Sequence, residues 1–258
     1  MSQKVTVMAV VNQKGGTGKT TTCENLGIGL ANEGKKVLLV DFDPQGNTTS
    51  GYGIEKNQLS LSCYDMLMGD CSATDVIAPT MIPGLYIIPC NIDLAAAEVD
   101  LVDIPQRESK LKQTLEPVKD QYDYIFIDCP PSLGLLTLNA LVASDSVIIP
   151  IQSEFFALEG LSQLMNTIKI VKQRLNSQLT INGVVLTMYD TRTTMSKQVT
   201  EEIYKYFGEK IYTVPVPRNV RLVESPSFGV PIMLHAPRSS GAAAYSALSK
   251  QFLERVEG

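Results

Sequence analysis

Several features are scarce or missing in this chain of 258 residues, and each absence argues against a class of protein. No apolar run approaches the roughly 20 residues that a membrane-spanning helix needs. Met1-Ser2-Gln3-Lys4 leads straight into a strand pattern, so no signal peptide is expected. The five cysteines, Cys23, Cys63, Cys71, Cys90 and Cys129, include no Cys-x-x-Cys pair. Such an odd, scattered set predicts reduced core thiols in a cytoplasmic protein, not a disulfide framework or a metal knot. Positive charge is not in excess either. The 22 Lys and Arg residues face 27 Asp and Glu, giving a net charge of −5 and a pI near 5.0. That balance argues against nucleic acid as a partner of the surface as a whole. Repeats, linkers and low-complexity segments are missing too, which predicts a single domain over residues 1–258.

What is present describes a globular domain. Hydrophobic residues make up 44% and charged residues 19%, and the length allows a sizeable core. The charge is uneven: residues 1–189 hold 13 basic and 20 acidic side chains (−7), and residues 190–258 hold nine and seven (+2). A local basic face and an ordinary solvated surface both fit that excess. Short apolar runs at Val5–Val11, Lys36–Val40, Leu85–Pro89, Tyr122–Asp128, Ser146–Pro150, Leu179–Met188 and Ile211–Val214 read as strands. Helical spacing is predicted over Lys19–Asn32, Leu61–Met68 (capped by Ser60), Ile92–Val102, Arg107–Lys119, Leu133–Val142, Glu154–Leu175, Lys197–Phe207 and Ala242–Arg255. Thr48–Gly53 reads as loop. The alternation predicts an α/β fold, one domain with a mostly parallel sheet of seven or eight strands, helices on both faces, and ligand at the C-terminal strand ends.

One stretch stands out. Lys14-Gly15-Gly16-Thr17-Gly18-Lys19-Thr20-Thr21 lies between the first strand pattern and the first helix pattern. Strand, Gly-rich loop, helix is the context of a P-loop, whose backbone N–H groups and helix N-terminus converge on a phosphate. Lys19 is then expected to reach the β- and γ-phosphates of a nucleotide, and the Thr20 hydroxyl to ligate Mg²⁺. The loop departs from the general pattern at its start. Gln13 stands where the first glycine is usual, and a second lysine, Lys14, follows it.

Two further strand patterns end in carboxylates. The second runs into Asp41-Phe42-Asp43-Pro44-Gln45-Gly46-Asn47, and Tyr122–Ile127 ends in Asp128 followed by Cys129-Pro130-Pro131-Ser132. An aspartate at such an edge either caps a turn or faces the ligand, and Asp128 has the form of a Walker B residue beside Mg²⁺. Pro215-Val216-Pro217-Arg218 holds two prolines that fix an extended backbone, as a rigid connector would.

The order Lys14–Thr21, Asp41–Asn47, Asp128–Ser132, Glu154–Gly160, Pro217–Leu222 resembles the ParA/MinD superfamily of deviant Walker A ATPases, and most of all its chromosome-type ParA/Soj branch. The resemblance spans nearly the whole chain. It implies an ATP- and Mg²⁺-dependent ATPase in which the early lysine, Lys14, crosses a homodimer interface to the partner's nucleotide. It implies nucleotide contacts along Lys14, Gly15, Gly16, Thr17, Gly18, Lys19, Thr20 and Thr21, with Pro217 and Arg218 beside the adenine. It casts Lys14, Lys19 and Asp43 as catalytic, Asp43 orienting the attacking water, with Thr20, Asp41 and Asp128 around the metal. It further implies a nucleoid-associated cytoplasmic protein that binds DNA without sequence preference, is stimulated by a ParB-type partner and segregates chromosome or plasmid copies. Arg192, Lys197, Arg218, Arg221 and Arg238 are the expected phosphate contacts, each of which is otherwise a solvated charge.

Two neighbouring branches offer other functions. A MinD-like, membrane-cycling ATPase needs a basic amphipathic C-terminal helix, whereas Ser249–Gly258 carries two basic and two acidic residues, so no membrane partner is expected. An iron–sulfur carrier needs cysteine ligands at a dimer seam, and Cys129 has no Cys-x-x-Cys companion. A nucleotide-binding module without turnover would keep the P-loop but not need Asp43 or Lys14.

Overall fold

The computed structural model describes residues 5–153, 157–190, 192 and 194–258. Seven strands form one sheet: β1 (Thr6–Val10), β2 (Val37–Asp41), β3 (Ala78–Pro79), β4 (Leu85–Ile88), β5 (Tyr124–Asp128), β6 (Ser146–Gln152) and β7 (Thr180–Thr187). Their order across the sheet is β3-β4-β2-β5-β1-β6-β7. Every neighbouring pair is parallel except β3–β4, a two-residue antiparallel edge. The strands are continuous apolar runs because both faces are covered. Leu38, Val40, Ile125 and Ile127 point into one buried layer, and Leu39, Tyr124 and Phe126 into the other.

The helices are α1 (Lys19–Asn32), α2 (Asn47–Gly51), α3 (Cys63–Met68), α4 (Ala73–Val76), α5 (Ala97–Asp100), α6 (Lys110–Leu115), α7 (Leu135–Ala143), α8 (Ala157–Arg174), α9 (Thr194–Phe207), α10 (Val220–Glu224), α11 (Ile232–His235) and α12 (Ser240–Glu257). Helices α3 and α5 to α9 cover the first face, and α1 and α10 to α12 the second. On the second face α12 lies along α1. Tyr245 Oη and Thr22 Oγ1 share a hydrogen bond of 3.1 Å, and Phe252 packs edge-on to Tyr124 at 5.5 Å.

The expected α/β fold is therefore present, with seven strands. Local differences have identifiable causes. Thr48–Gly53 is not all loop, because strand-end aspartates hold Asn47–Gly51 as a helix. The cap of α3 is Ser62 rather than Ser60, in a capping box with Asp65. Ile92–Val102 and Arg107–Lys119 each break into 3₁₀ and α turns. Ile211–Val214 makes only one isolated bridge, Val184 to Ile211, and is not a strand. Glu154, Phe155 and Phe156 of the Glu154–Gly160 segment lie outside the described residues.

Strand β7 ends the sheet, and its outward carbonyls are covered rather than left open. Lys210 Nζ donates to the carbonyl of Ile181 at 3.0 Å, and Arg255 Nη1 to that of Asn182 at 3.1 Å. Cations on an edge strand oppose pairing with another chain.

Candidate nucleotide site

Strand pairing alone brings the motifs together. Val10, Asp41 and Asp128 stand in register on the three adjacent strands β1, β2 and β5, so the P-loop and both acidic strand ends open at one edge. A cavity of about 640 Å³ lies there, lined by Gly15, Gly16, Gly18, Lys19, Thr20 and Thr21 on one side. Asp43, Pro217, Arg218, Leu222 and Pro226 are among the residues that line it elsewhere. Thr17 is buried behind the loop, where its carbonyl accepts the Thr187 hydroxyl at 2.8 Å.

The loop is held open for an anion. Gly18 ends it in the left-handed region, φ 85°, which no other residue takes cheaply. It provides no side-chain cap for α1, so the first N–H groups of that helix stay available. Around the loop, Lys14 N–H donates to Asn12 Oδ1 at 3.0 Å, and Gln152 Nε2 donates to the carbonyl of Gly16 at 2.8 Å. Lys19 is 6% exposed, and its ammonium donates to the carbonyl of Lys14 at 3.3 Å. Burial lowers its pKa, while Asp128 and Asp43 work against that loss. A buried ammonium beside bare helix N–H groups is a receptor for phosphate.

Asp128 is fully buried. One oxygen, Oδ2, accepts from Thr20 Oγ1 at 2.7 Å and from Thr48 Oγ1 at 2.8 Å. The other, Oδ1, is buried without a hydrogen-bond partner. Burial pushes this carboxyl up to about 6, against the pull of the two threonines and Lys19. An orphaned carboxylate oxygen beside a threonine hydroxyl fits a small oxygen-seeking cation. Mg²⁺ takes few protein ligands and fills its shell with water and phosphate, which suits a site where no cluster of three acidic, His or Cys ligands exists among the described residues.

The structure separates the two aspartates of the Asp41–Asn47 segment. Asp43 lines the cavity, and its Oδ1 accepts from Gln45 N–H at 3.0 Å. Asp41 is fully buried beneath it and takes its hydrogen bonds from Thr49 and Asp43. Burial first, then Asp128, pushes the Asp41 carboxyl up to about 8. The Pro215–Pro217 segment is fixed by Val216 N–H to the carbonyl of Leu186 (2.8 Å) and Tyr189 N–H to that of Val216 (3.0 Å), which brings Pro217 and Arg218 to the cavity wall.

Arg218 lines the cavity, and Arg192, Arg221 and Arg238 lie near it by chain or contact. Arg192 forms a two-pronged pair with Asp190, 2.9 and 2.7 Å, and Arg218 also acts on Asp190. Arg221 pairs with Glu224 at 2.9 Å. Asn219 Nδ2 donates to Ser240 Oγ at 2.8 Å, which brings the chain after Arg238 to the Arg218–Arg221 turn. Lys197 is exposed on α9. Arg192 and Arg221 thus already have acidic partners, which charge counting does not reveal.

Sequence reading missed Thr48, Thr49, Gln152 and Thr187, whose contacts join segments far apart in the chain. Only the place of Thr48 and Thr49, directly after the acidic turn, hinted at them.

Comparison with known proteins agrees with this geometry. A family model described as "AAA domain" matches residues 5–181. The sporulation initiation inhibitor protein Soj of Bacillus subtilis is 57% identical over 245 residues, 95% of this chain and 97% of that protein. The chromosome partitioning protein ParA of Caulobacter vibrioides is 48% identical, covering 96% of this chain and 94% of that one. A solved structure titled cobyrinic acid a,c-diamide synthase from Mycobacterium smegmatis, with bound ADP and magnesium, superposes with a TM-score of 0.87 at 37% identity, over 98% of this chain and 96% of that one. On a P-loop, two acidic strand ends and identity carried along nearly its whole length, the chain belongs to the Soj/ParA family of chromosome-partitioning proteins.

Proposed function

We propose that this chain hydrolyses ATP with Mg²⁺ as an ATP-dependent homodimer. It binds DNA without sequence preference and, stimulated by a ParB-type partner, segregates or positions chromosome or plasmid copies on the nucleoid. The observation that carries this reading is the convergence on one cavity of the buried Lys19, the uncapped start of α1, Thr20 and Asp43, with the buried Asp128 held directly behind Thr20 by their hydrogen bond. The Mg²⁺ and ADP in the related Mycobacterium smegmatis structure support ATP and Mg²⁺ as its ligands.

In this reading the P-loop N–H groups and Lys19 cradle the β- and γ-phosphates, and Thr20 and Asp128 hold Mg²⁺, with Asp41 behind them. The metal, when bound, neutralises charge that builds on the phosphoryl oxygens. Asp43 faces the cavity and orients the attacking water. Pro217 and Arg218 line the adenine end. Lys14 reaches the nucleotide of the other subunit, as an in-trans arginine finger does. Lys14→Ala is therefore expected to lower the stimulated rate by about 10³-fold, and an unchanged rate would remove the in-trans role.

DNA phosphates are contacted by Arg192, Lys197, Arg218, Arg221 and Arg238. Exposed pairs such as Arg192–Asp190 are worth little, so exchanging aspartate for phosphate costs little. The deciding experiment is DNA binding by Asp43→Ala protein across a salt series, with ATP, with ADP and without nucleotide. The variant is expected to stall hydrolysis and to hold the ATP dimer. Tight binding only with ATP is expected, with each lost phosphate contact reducing the log–log salt slope by about 0.9. ATP binding without DNA binding in any state would reject the DNA role.

A further inference from the structure

Thr49 does not line the cavity, yet it is fully buried and all its polar groups are used. Its hydroxyl donates to Asp41 Oδ2 at 2.6 Å and accepts the Cys90 N–H at 2.8 Å. Its own N–H donates to the same Asp41 oxygen at 2.7 Å. One side chain thus ties the end of β2 to the chain leaving β4. The other Asp41 oxygen faces Asp43 N–H at 3.4 Å, and Gly46 N–H closes back on the Asp43 carbonyl at 2.8 Å.

The segment from Asp41 to Thr49 is therefore a closed loop with Asp43 held on its cavity side. Helix α2, five residues long and without a side-chain cap of its own, cannot fix that loop by itself. Two frame elements do so through Thr49. Thr48 ties the same helix to β5 instead, its hydroxyl donating to the Asp128 oxygen that also accepts from Thr20.

We propose that Thr49 is a positioning residue for Asp43: its clasp between Asp41 and the Cys90 N–H sets where the Asp43 carboxylate stands in the cavity. The inference rests on the assignment of water orientation to Asp43 in the proposed function. Misplacing a catalytic group by about 1 Å costs on the order of 100-fold in rate. Thr49 itself does not line the cavity, so its loss acts on turnover through Asp43 rather than on binding.

The test is a double-mutant cycle between Thr49→Val and Asp43→Ala, read by single-turnover phosphate release, with affinity for a non-hydrolysable ATP analogue and Mg²⁺ measured in parallel. Thr49→Val is expected to bind the analogue as the wild type does and to lose about 10- to 100-fold in kcat, with KM nearly unmoved. Hydrogen exchange over residues 43–51 should rise. In the Asp43→Ala background the same substitution should add no further loss. Thr49→Ser, which keeps the hydroxyl, should restore both rate and protection. If the Val variant does not fold, Thr49→Cys, close in size and a weak hydrogen bonder, takes its place. Full turnover by the Val variant, an equal loss in the Asp43→Ala background, or a Ser variant as slow as the Val variant would each overturn the proposal. Undiminished turnover by Asp43→Ala alone would instead reject the role of Asp43, and this inference with it.

Discussion

Glu24 shows how far a single residue here departs from its type. It sits on α1 with 2% of its surface exposed, and its Oε1 is buried without a hydrogen-bond partner. Burial, and then Asp128 and Asp41, push its carboxyl well above the ordinary range. With Asp41 raised to about 8 and Asp128 to about 6, three carboxyls bind protons more tightly folded than unfolded. The sign follows directly. Where the folded chain holds protons that the unfolded chain has released, stability falls as pH rises. The nucleotide-free protein is therefore expected to lose stability between about pH 5 and 8, as measured by urea unfolding at fixed ionic strength. Glu24→Gln should flatten that slope; a slope that stays the same would show Glu24 ionised in the folded state. None of this was legible in the sequence, where Glu24 is one polar residue in a helical pattern. The P-loop residues were legible because their roles depend on spacing along the chain, which folding does not rearrange. The burial of Glu24 depends on where α2 lands, and only folding sets that.

At the scale of elements, the loop after α2 and the turn after α10 meet backbone to backbone. Gly229, with φ 63°, stands where an added Cβ would lie 2.7 Å from Gly53 Cα. The first segment continues from the Asp43 loop, and the second continues from the cavity wall that holds Leu222 and Pro226. Gly229→Ala is expected to cost about 1–3 kcal/mol in denaturant unfolding and to weaken binding of an ATP analogue together with it. A loss of stability with full affinity would show that the two walls do not move as one. Elements read well where the pattern is long: α1 carries its expected bounds, and the parallel strands were visible as apolar runs. They read poorly where other parts of the molecule decide. Asn-Thr-Thr-Ser-Gly is weak helix material, and it is helical because Asp41 and Asp128 receive its threonines. Ile211–Val214 has strand composition but meets β7 at one position only. The cap of α3 was available to reading, since Ser62 and Asp65 have capping-box spacing.

For the whole molecule, the second face of the sheet depends on α12. Phe252 is fully buried and meets both Tyr124 (5.5 Å) and Phe126 (5.7 Å). Phe252→Ala is expected to cost about 3–5 kcal/mol, seen as a lower urea midpoint at an unchanged slope. A changed slope would mean that α12 had detached as a unit. Helix α12 also supports the start of α1, through Tyr245 against Thr22, three residues after Lys19, and Lys35 pairs with Glu257 at 2.7 Å. This arrangement has a bearing on synthesis. The phosphate loop is translated long before the helix that braces it. A growing chain that has not yet reached α12 therefore carries the loop without its brace, and the site is finished only when α12 has been made and packs back along α1.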